Sequence, residues 1–293
     1  MSPVLEPEIA IALDRAGLRA LDFHEISQMP TAQPRRSVYR IDLEPEHTIK
    51  ARLLPDAETA RRLFEICREL PDAFAPAFGC YGAVLLEEWI DGEGLGDTLP
   101  SDAHLVEVGS LLARLHATPI VAGRRVHDLR STAAWRERTE AGLRQVLAAG
   151  ELDKPDVLRI QRALERLDPG QAVFGLAHTD LCGENMVVDR AGRLRVIDNE
   201  RVGIDALGFD VARTWYRWAL PASAWERLRS TYAAQAPFAE PLETFDFWSV
   251  VTIVHSAALR LQKDRTRAHV PLDRLRRVAA EVDGRRTPCR GGR

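Results

Sequence analysis

Apolar and polar positions change their rhythm part-way along the chain. From Glu8 to Ala16, the spacing of Ile9, Leu13 and Ala16 predicts a helix, and Gly17 supplies a natural stop. Short strands are predicted over Leu21–Ile26, Val38–Leu43 and Thr48–Leu54, the last two joined by Glu44-Pro45-Glu46-His47. Pro55-Asp56 opens a helix through Leu70 that gathers Leu63, Ile66 and Leu70 on one face. Pro71, Pro76 and Gly79 then break the pattern ahead of Ala83–Ile90, a buried-strand run.

Glycines at the density of Asp91-Gly92-Glu93-Gly94-Leu95-Gly96 resist regular structure, so the boundary between two lobes is placed there. Beyond it Leu105, Val108, Leu111, Leu112 and Leu115 mark an amphipathic helix, and most of Trp135–Leu167 reads as helical. Two short strands, Met186–Asp189 and Leu194–Ile197, are joined by the turn Arg190-Ala191-Gly192-Arg193. Helical spacing resumes after Asp210 and runs to about Asp283. Residues 1–91 are thus expected to form a small β-rich lobe and 92–283 a larger helical one. The basic, Gly-rich segment 284–293 is expected to be a disordered tail.

Composition narrows the class without naming it. An apolar fraction of 45% and a charged fraction of 28% are those of an ordinary globular protein. The net charge of −3 supplies no field that would draw the chain to nucleic acid or an anionic membrane. No apolar run reaches the length of a membrane span, and MSPVLEPEIA lacks the basic-then-apolar pattern of a secretory signal. Cys67, Cys80, Cys182 and Cys289 show no paired spacing, which reads as reduced thiols and a cytoplasmic protein, with no structural zinc site.

The stretch with chemical content is HTDLCGENMVVDRAGRLRVIDNE, from His178 to Glu200. It holds His178-x-Asp180-Leu181-x-x-x-Asn185, then the expected hairpin, then Asp198. Phosphoryl transfer asks a protein for positioning and charge neutralisation more than for covalent help. Asp180 is suited to orient an acceptor hydroxyl and take its proton. Asn185 and Asp198 offer hard oxygen donors of the kind magnesium prefers, held at adjacent strand ends by the hairpin. His178 is read as a brace for the loop.

HTDLCGENMVVD followed by RVIDNERVGIDALGFDVA resembles the aminoglycoside phosphotransferase and choline kinase family. Its members typically read His-Gly-Asp-Leu-x-x-x-Asn, then Ile-Asp-x-Glu, then Asp-(Leu/Val)-Ala. Those elements fall here at His178–Asn185, Ile197–Glu200 and Asp210-Val211-Ala212. Leu115-His116 resembles the family's Leu-His helix end, LLEEWIDGEGL its hinge and SVYRIDL its first ATP-lobe strand. The resemblance implies an α+β, protein-kinase-like two-lobe fold with a catalytic β-hairpin. It also implies an ATP- and magnesium-dependent kinase, with Asp180 as base and Asn185 and Asp198 as metal ligands. Lys50 then holds the α and β phosphates, and Glu58 or Glu65, both on one helix face, pairs with it. The backbone of Glu88 and Ile90 would meet the adenine, with Trp89 walling the cavity.

Two features bear on the substrate. Only eleven residues separate Asp198 from Asp210, too few for a segment on which to lay a peptide, so a small-molecule acceptor is expected. PTAQPRRS, residues 30–37, holds no glycine where kinases of this type cover the phosphates, leaving Arg35, Arg36 and Ser37 as its polar groups. That departure keeps a second reading open, a nucleotide-binding pseudokinase acting through protein contacts. Trp215, Tyr216 and Trp218 are expected to pack a helix in preference to lining an acceptor pocket.

Overall fold

Alternation along the first strands is realised as a buried and an exposed face. In the computed structural model, which describes residues 5–26, 37–45, 47–96, 99–121 and 124–282, the chain is α+β. It divides into two compact units. One comprises Met1–Thr98, Ile120–Arg124 and Gly183–Glu200; the other comprises Leu99–Pro119, Arg125–Cys182 and Arg201–Arg293. The first unit is therefore discontinuous in sequence. The covering loop at 30–36 and the tail at 284–293 lie outside the described residues.

The first unit is built on a five-stranded antiparallel sheet. Its strands are β1 (Ala20–Glu25), β2 (Ser37–Leu43), β3 (His47–Leu53), β4 (Ala77–Tyr81) and β5 (Val84–Glu88), in the order β1-β2-β3-β5-β4. Tyr39, Ile41 and Leu43 of β2 alternate inward and meet Ile49, Ala51 and Leu53 of β3. Helix α1 (Pro7–Ala16) closes this face with Ile9, Ala12 and Leu13. Ile9, Ile41 and Ile49 are fully buried, each stabilising by about 1.5–3 kcal/mol. Helix α2 (Ala57–Glu69) begins where Asp56 accepts the Thr59 N–H at 2.7 Å, and buries Ala60, Leu63, Ile66 and Cys67.

A second, three-stranded sheet completes the unit. Met186–Asp189 pairs with Leu194–Val196 in register Met186↔Val196, and on its other edge with Gly92–Gly94. The glycine-rich stretch therefore does form a short strand. Glycine is what permits it, because a Cβ on Gly92 would overlap the Val188 carbonyl.

The second unit is mainly helical. Its long helices are Asp102–Ala117, Ala133–Ala148, Lys154–Leu167, Leu207–Arg217, Ala222–Gln235, Phe245–Lys263 and His269–Val282. Gly150 lies between the two helices of the Trp135–Leu167 region and adopts a positive φ of 72°. The unit also holds a sheet that helical spacing does not announce, in the order Gly203–Ala206, Gln171–Ala177, Asp128–Ser131. Its core centres on Trp248, fully buried, edge-on to Trp135 at 5.6 Å between ring centroids. Gly208 admits that ring; any Cβ there would overlap it. Among the described residues no helix is long and apolar enough to cross a membrane.

Candidate active site

The hairpin begins to build the first cluster. The Ile197 N–H donates to the Asn185 carbonyl at 3.0 Å, extending the Met186↔Val196 ladder by one bond. Asn185 and Asp198 thus stand at adjoining strand ends. Asp198 is exposed and Asn185 partly buried. The donor set is all oxygen, as a hard divalent cation requires. Lys50 arrives from β3, its ammonium donating to the Ile197 carbonyl. Burial, then the like charge of Arg52, pulls the Lys50 ammonium below the ordinary lysine range, while Glu87 and Asp198 oppose that shift.

The carboxylates bearing on Lys50 are therefore Glu87 and Asp198. Glu58 is exposed and Glu65 only partly buried on α2, whose buried face is apolar. Glu87 is committed instead to Arg52, at 2.8 Å, both side chains almost wholly buried. Asn199 joins them, its side chain bonded to Arg52 and to the Cys67 thiol at 3.0 Å. Burial and then the Glu87 charge push that thiol up to about 12, so Cys67 is a neutral, inert member of the network.

Beside Lys50 lies a cavity of about 380 Å³ that also contacts Glu88, Trp89, Ile90 and Ile197. That volume falls in the range of small-molecule sites. Trp89 forms a rigid wall: its indole N–H donates to Asp91 at 3.1 Å, and the Arg40 guanidinium lies 5.3 Å from its ring. The Glu88 N–H is already spent on the Pro76 carbonyl at 2.9 Å. Lys50, Glu88 and Ile90, picked out separately in the sequence, are thus brought to one cavity.

In the second unit the loop around Asp180 is held by a buried acid. Asp210 accepts the backbone N–H groups of His178 and Thr179, each at 2.7 Å, and faces His116 Nε2 at 3.1 Å. Burial pushes the Asp210 carboxyl up, but its bond to His116 and the nearby His116 and His178 rings outweigh this, leaving it below the usual carboxylate range. His116 is oriented in turn by the Tyr232 hydroxyl at 2.8 Å. His178 is fully buried, and its Nδ1 accepts the Asp180 N–H at 3.3 Å. It braces the loop, as its position in the motif leads one to expect.

Thr179 has a φ of 59°, a left-handed backbone that a β-branched residue adopts at a cost of about 1–3 kcal/mol. Where family members place glycine, this chain places a strained threonine, stapled by Asp210 on its N–H and by Arg213 Nε on its carbonyl at 3.1 Å.

Three arginines that motif reading passes over converge on Asp180. Arg213 Nη2 lies 2.9 Å and Arg217 Nε 3.0 Å from Oδ1, and Arg201 Nη1 lies 3.9 Å from Oδ2. A signal was present: Asp210, Arg213 and Arg217 are spaced i, i+3 and i+7, one face of one helix. Trp215 and Tyr216 point elsewhere, packed against Arg274 at 5.5 and 4.7 Å, with Trp215 also edge-on to Phe245.

The fold has many solved counterparts. A choline kinase from Cryptosporidium parvum Iowa II is similar at a TM-score of 0.66 and 15% identity, covering 95% of this chain and 97% of that one. A macrolide 2′-phosphotransferase from Brachybacterium faecium gives 0.60 and 17%, covering 97% and 99%. A spectinomycin phosphotransferase, solved with ADP and spectinomycin, gives 0.62 and 13%, covering 96% and 99%. At such identities the likeness speaks for the protein-kinase-like fold alone. No curated protein matches the sequence. Residues 69–244, more than half of the chain, match the model of the phosphotransferase enzyme family. The protein therefore belongs to the phosphotransferase enzyme family, the aminoglycoside phosphotransferase and choline kinase group that its His178–Asn185 motif resembles.

Proposed function

We propose that this protein transfers the γ-phosphoryl group of ATP to a hydroxyl of a small molecule, with magnesium. The observation that carries this reading is the Ile197–Asn185 backbone bond, which sets Asn185 and Asp198 side by side with Lys50 bonded to the same strand end. In a phosphotransferase family member, that arrangement of an amide oxygen, a carboxylate and an ammonium suits a metal–triphosphate group. The spectinomycin enzyme solved with ADP supports a nucleotide as donor.

Each residue then has a task. The Glu88 carbonyl and the Ile90 amide offer the acceptor and donor that an adenine edge needs, since the Glu88 N–H is occupied. Trp89 and Ile90 wall the base, and Lys50 holds phosphate oxygens. Asn185 and Asp198 would hold magnesium, which supplies neutralisation of charge on the phosphoryl oxygens.

Asp180 orients the acceptor hydroxyl. Its carboxylate, whose Oδ1 is held by Arg213 and Arg217, receives the hydroxyl proton. As the acceptor oxygen bonds to γ-phosphorus, the bond from phosphorus to the β–γ bridging oxygen breaks and ADP leaves. A carboxylate among guanidiniums acts chiefly by orientation, which suits a loose transition state. The free thiols of Cys67, Cys80 and Cys182 accord with a reducing compartment, and we place the protein in the cytoplasm.

ADP formation from Mg·ATP in the presence of a small-molecule cell extract tests the assignment. Wild-type protein should form ADP only with magnesium, and Asn185→Ala and Asp198→Ala should not. ADP formation indifferent to the metal and to both substitutions would contradict it.

A further inference from the structure

The arginines around Asp180 continue into a longer cationic strip within the second unit. Arg213 reaches Asp180 on one side and Ser256 Oγ, at 3.4 Å, on the other. The next side chain, His255, has its ring 6.4 Å from Trp135 and 6.2 Å from Phe209. Over the Trp135 ring, at 4.8 Å, lies the guanidinium of Arg138. Arg201 and Arg213 thus share Asp180, Arg213 bonds the chain neighbour of His255, and Trp135 lies between His255 and Arg138, although these residues come from four separate segments.

The members differ in how far they are used up. Arg213 is 8% exposed and fixed by Thr179, Asp180 and Ser256. Arg201 is 47% exposed, and its contact with Asp180 is a loose 3.9 Å. Arg138 is exposed and preorganised by its stacking on Trp135. His255 keeps part of its surface in solvent, yet desolvation by the surrounding protein, and then the like charges of Arg213, Arg201 and Arg138, hold its imidazole below the usual range and favour the neutral form. Burial raises the Asp205 carboxyl above its usual range, a shift that the Ala206 N–H and the charges of Arg138 and Arg130 oppose.

We propose, building on the phosphotransferase reading above, that the acceptor is a hydroxyl compound carrying an anionic group, a carboxylate or a phosphate monoester, which Arg201 and Arg138 bind. The planar guanidinium fork matches either anion with two parallel hydrogen bonds. Stacked and half-exposed arginines lose little freedom in making them. A neutral imidazole between them adds one donor without adding to the like-charge repulsion. An ammonium-bearing acceptor of the choline or aminoglycoside kind would meet repulsion at Arg201 and Arg138, so these two arginines select against it.

Two acceptor panels with Mg·ATP separate the cases, one of hydroxycarboxylates and sugar monophosphates, the other of amino alcohols and aminoglycosides. Products are identified by mass. Phosphorylation confined to the first panel supports the inference, and which of its two members reacts names the anion. Arg201→Ala and Arg138→Ala should each raise the acceptor KM about tenfold or more, with the ATP KM within about twofold. Arg201→Lys should recover part of the loss.

Turnover of the amino alcohols with an acceptor KM indifferent to both substitutions overturns the inference and leaves the kinase reading standing. A rise in the ATP KM alone overturns it as well, by assigning the arginines to the nucleotide. Should neither panel be phosphorylated, the kinase reading falls for these acceptors, and inorganic phosphate decides the anion site. A rise in Tm with millimolar phosphate that Arg201→Ala abolishes upholds the site; no rise refutes it.

Discussion

The Asp210 carboxylate accepts the backbone N–H of Thr179 at 2.7 Å. Through His178 and His116 it also ties the Leu-His end of helix Asp102–Ala117 to the loop that presents Asp180. Sequence elements recognised separately, Leu115-His116, His178–Asn185 and Asp210-Val211-Ala212, thus include a single buried junction. Asp180 is positioned from below by an ionised acid and from the side by arginines.

Asp210→Asn should lose about 3–5 kcal/mol, because buried donors and His116 lose the charge they were arranged around. Urea unfolding at neutral pH measures the loss. The folded Asp210 pKa lies below the unfolded one, so its contribution is complete above the ordinary aspartate range. That contribution fades as pH drops through the depressed value, and the gap between wild type and variant should close in acid.

Thr179→Gly relieves the left-handed backbone at φ 59°. Strain of about 1–3 kcal/mol is removed, and the added freedom of an unfolded glycine returns about 0.5–1. A net gain of about 1 kcal/mol is expected in thermal unfolding, with both backbone staples on the loop retained. A loss of stability would show that the threonine side chain matters more than its backbone.

Gly208→Ala pushes a methyl into the Trp248 ring at the centre of the second unit's core. A cost of about 1–3 kcal/mol or more is expected, read by a lower Tm and an altered near-ultraviolet tryptophan signal.

Lys50→Met should weaken ATP binding without unfolding the first sheet, since the Lys50 ammonium serves the cavity and the Ile197 carbonyl. Burial lowers the Lys50 pKa, so its charge is lost at a lower pH than that of an exposed lysine. Wild-type ATP affinity should fall on the alkaline side, beginning below the ordinary lysine range. The variant should lack that limb in a titration of affinity against pH.

What the sequence discloses follows how local each signal is. The hairpin 186–196 and its flanking Asn185 and Asp198 are read from adjacent residues, and Met186–Asp189 is found at its expected bounds. The alternation of Tyr39, Ile41 and Leu43 likewise announces β2. Strand β4 is hidden by Pro76 and Gly79, which read as interruption although Gly79 lies within the strand. Asp128–Ser131 is exposed along its whole length and has no periodicity to find. The Arg52–Glu87 pair and the arginines on Asp180 join residues distant in sequence. Only the i, i+3, i+7 spacing of Asp210, Arg213 and Arg217 left a local trace.

The central claim is tested most directly by mass spectrometry of a small-molecule cell extract incubated with Mg·ATP and purified protein, beside Asp180→Ala. The account predicts a compound that gains one phosphoryl group with the wild type, formed about 10²–10⁴-fold more slowly by the variant. The same product at an undiminished rate with Asp180→Ala, or no product from an extract in which the protein consumes no ATP, would contradict it.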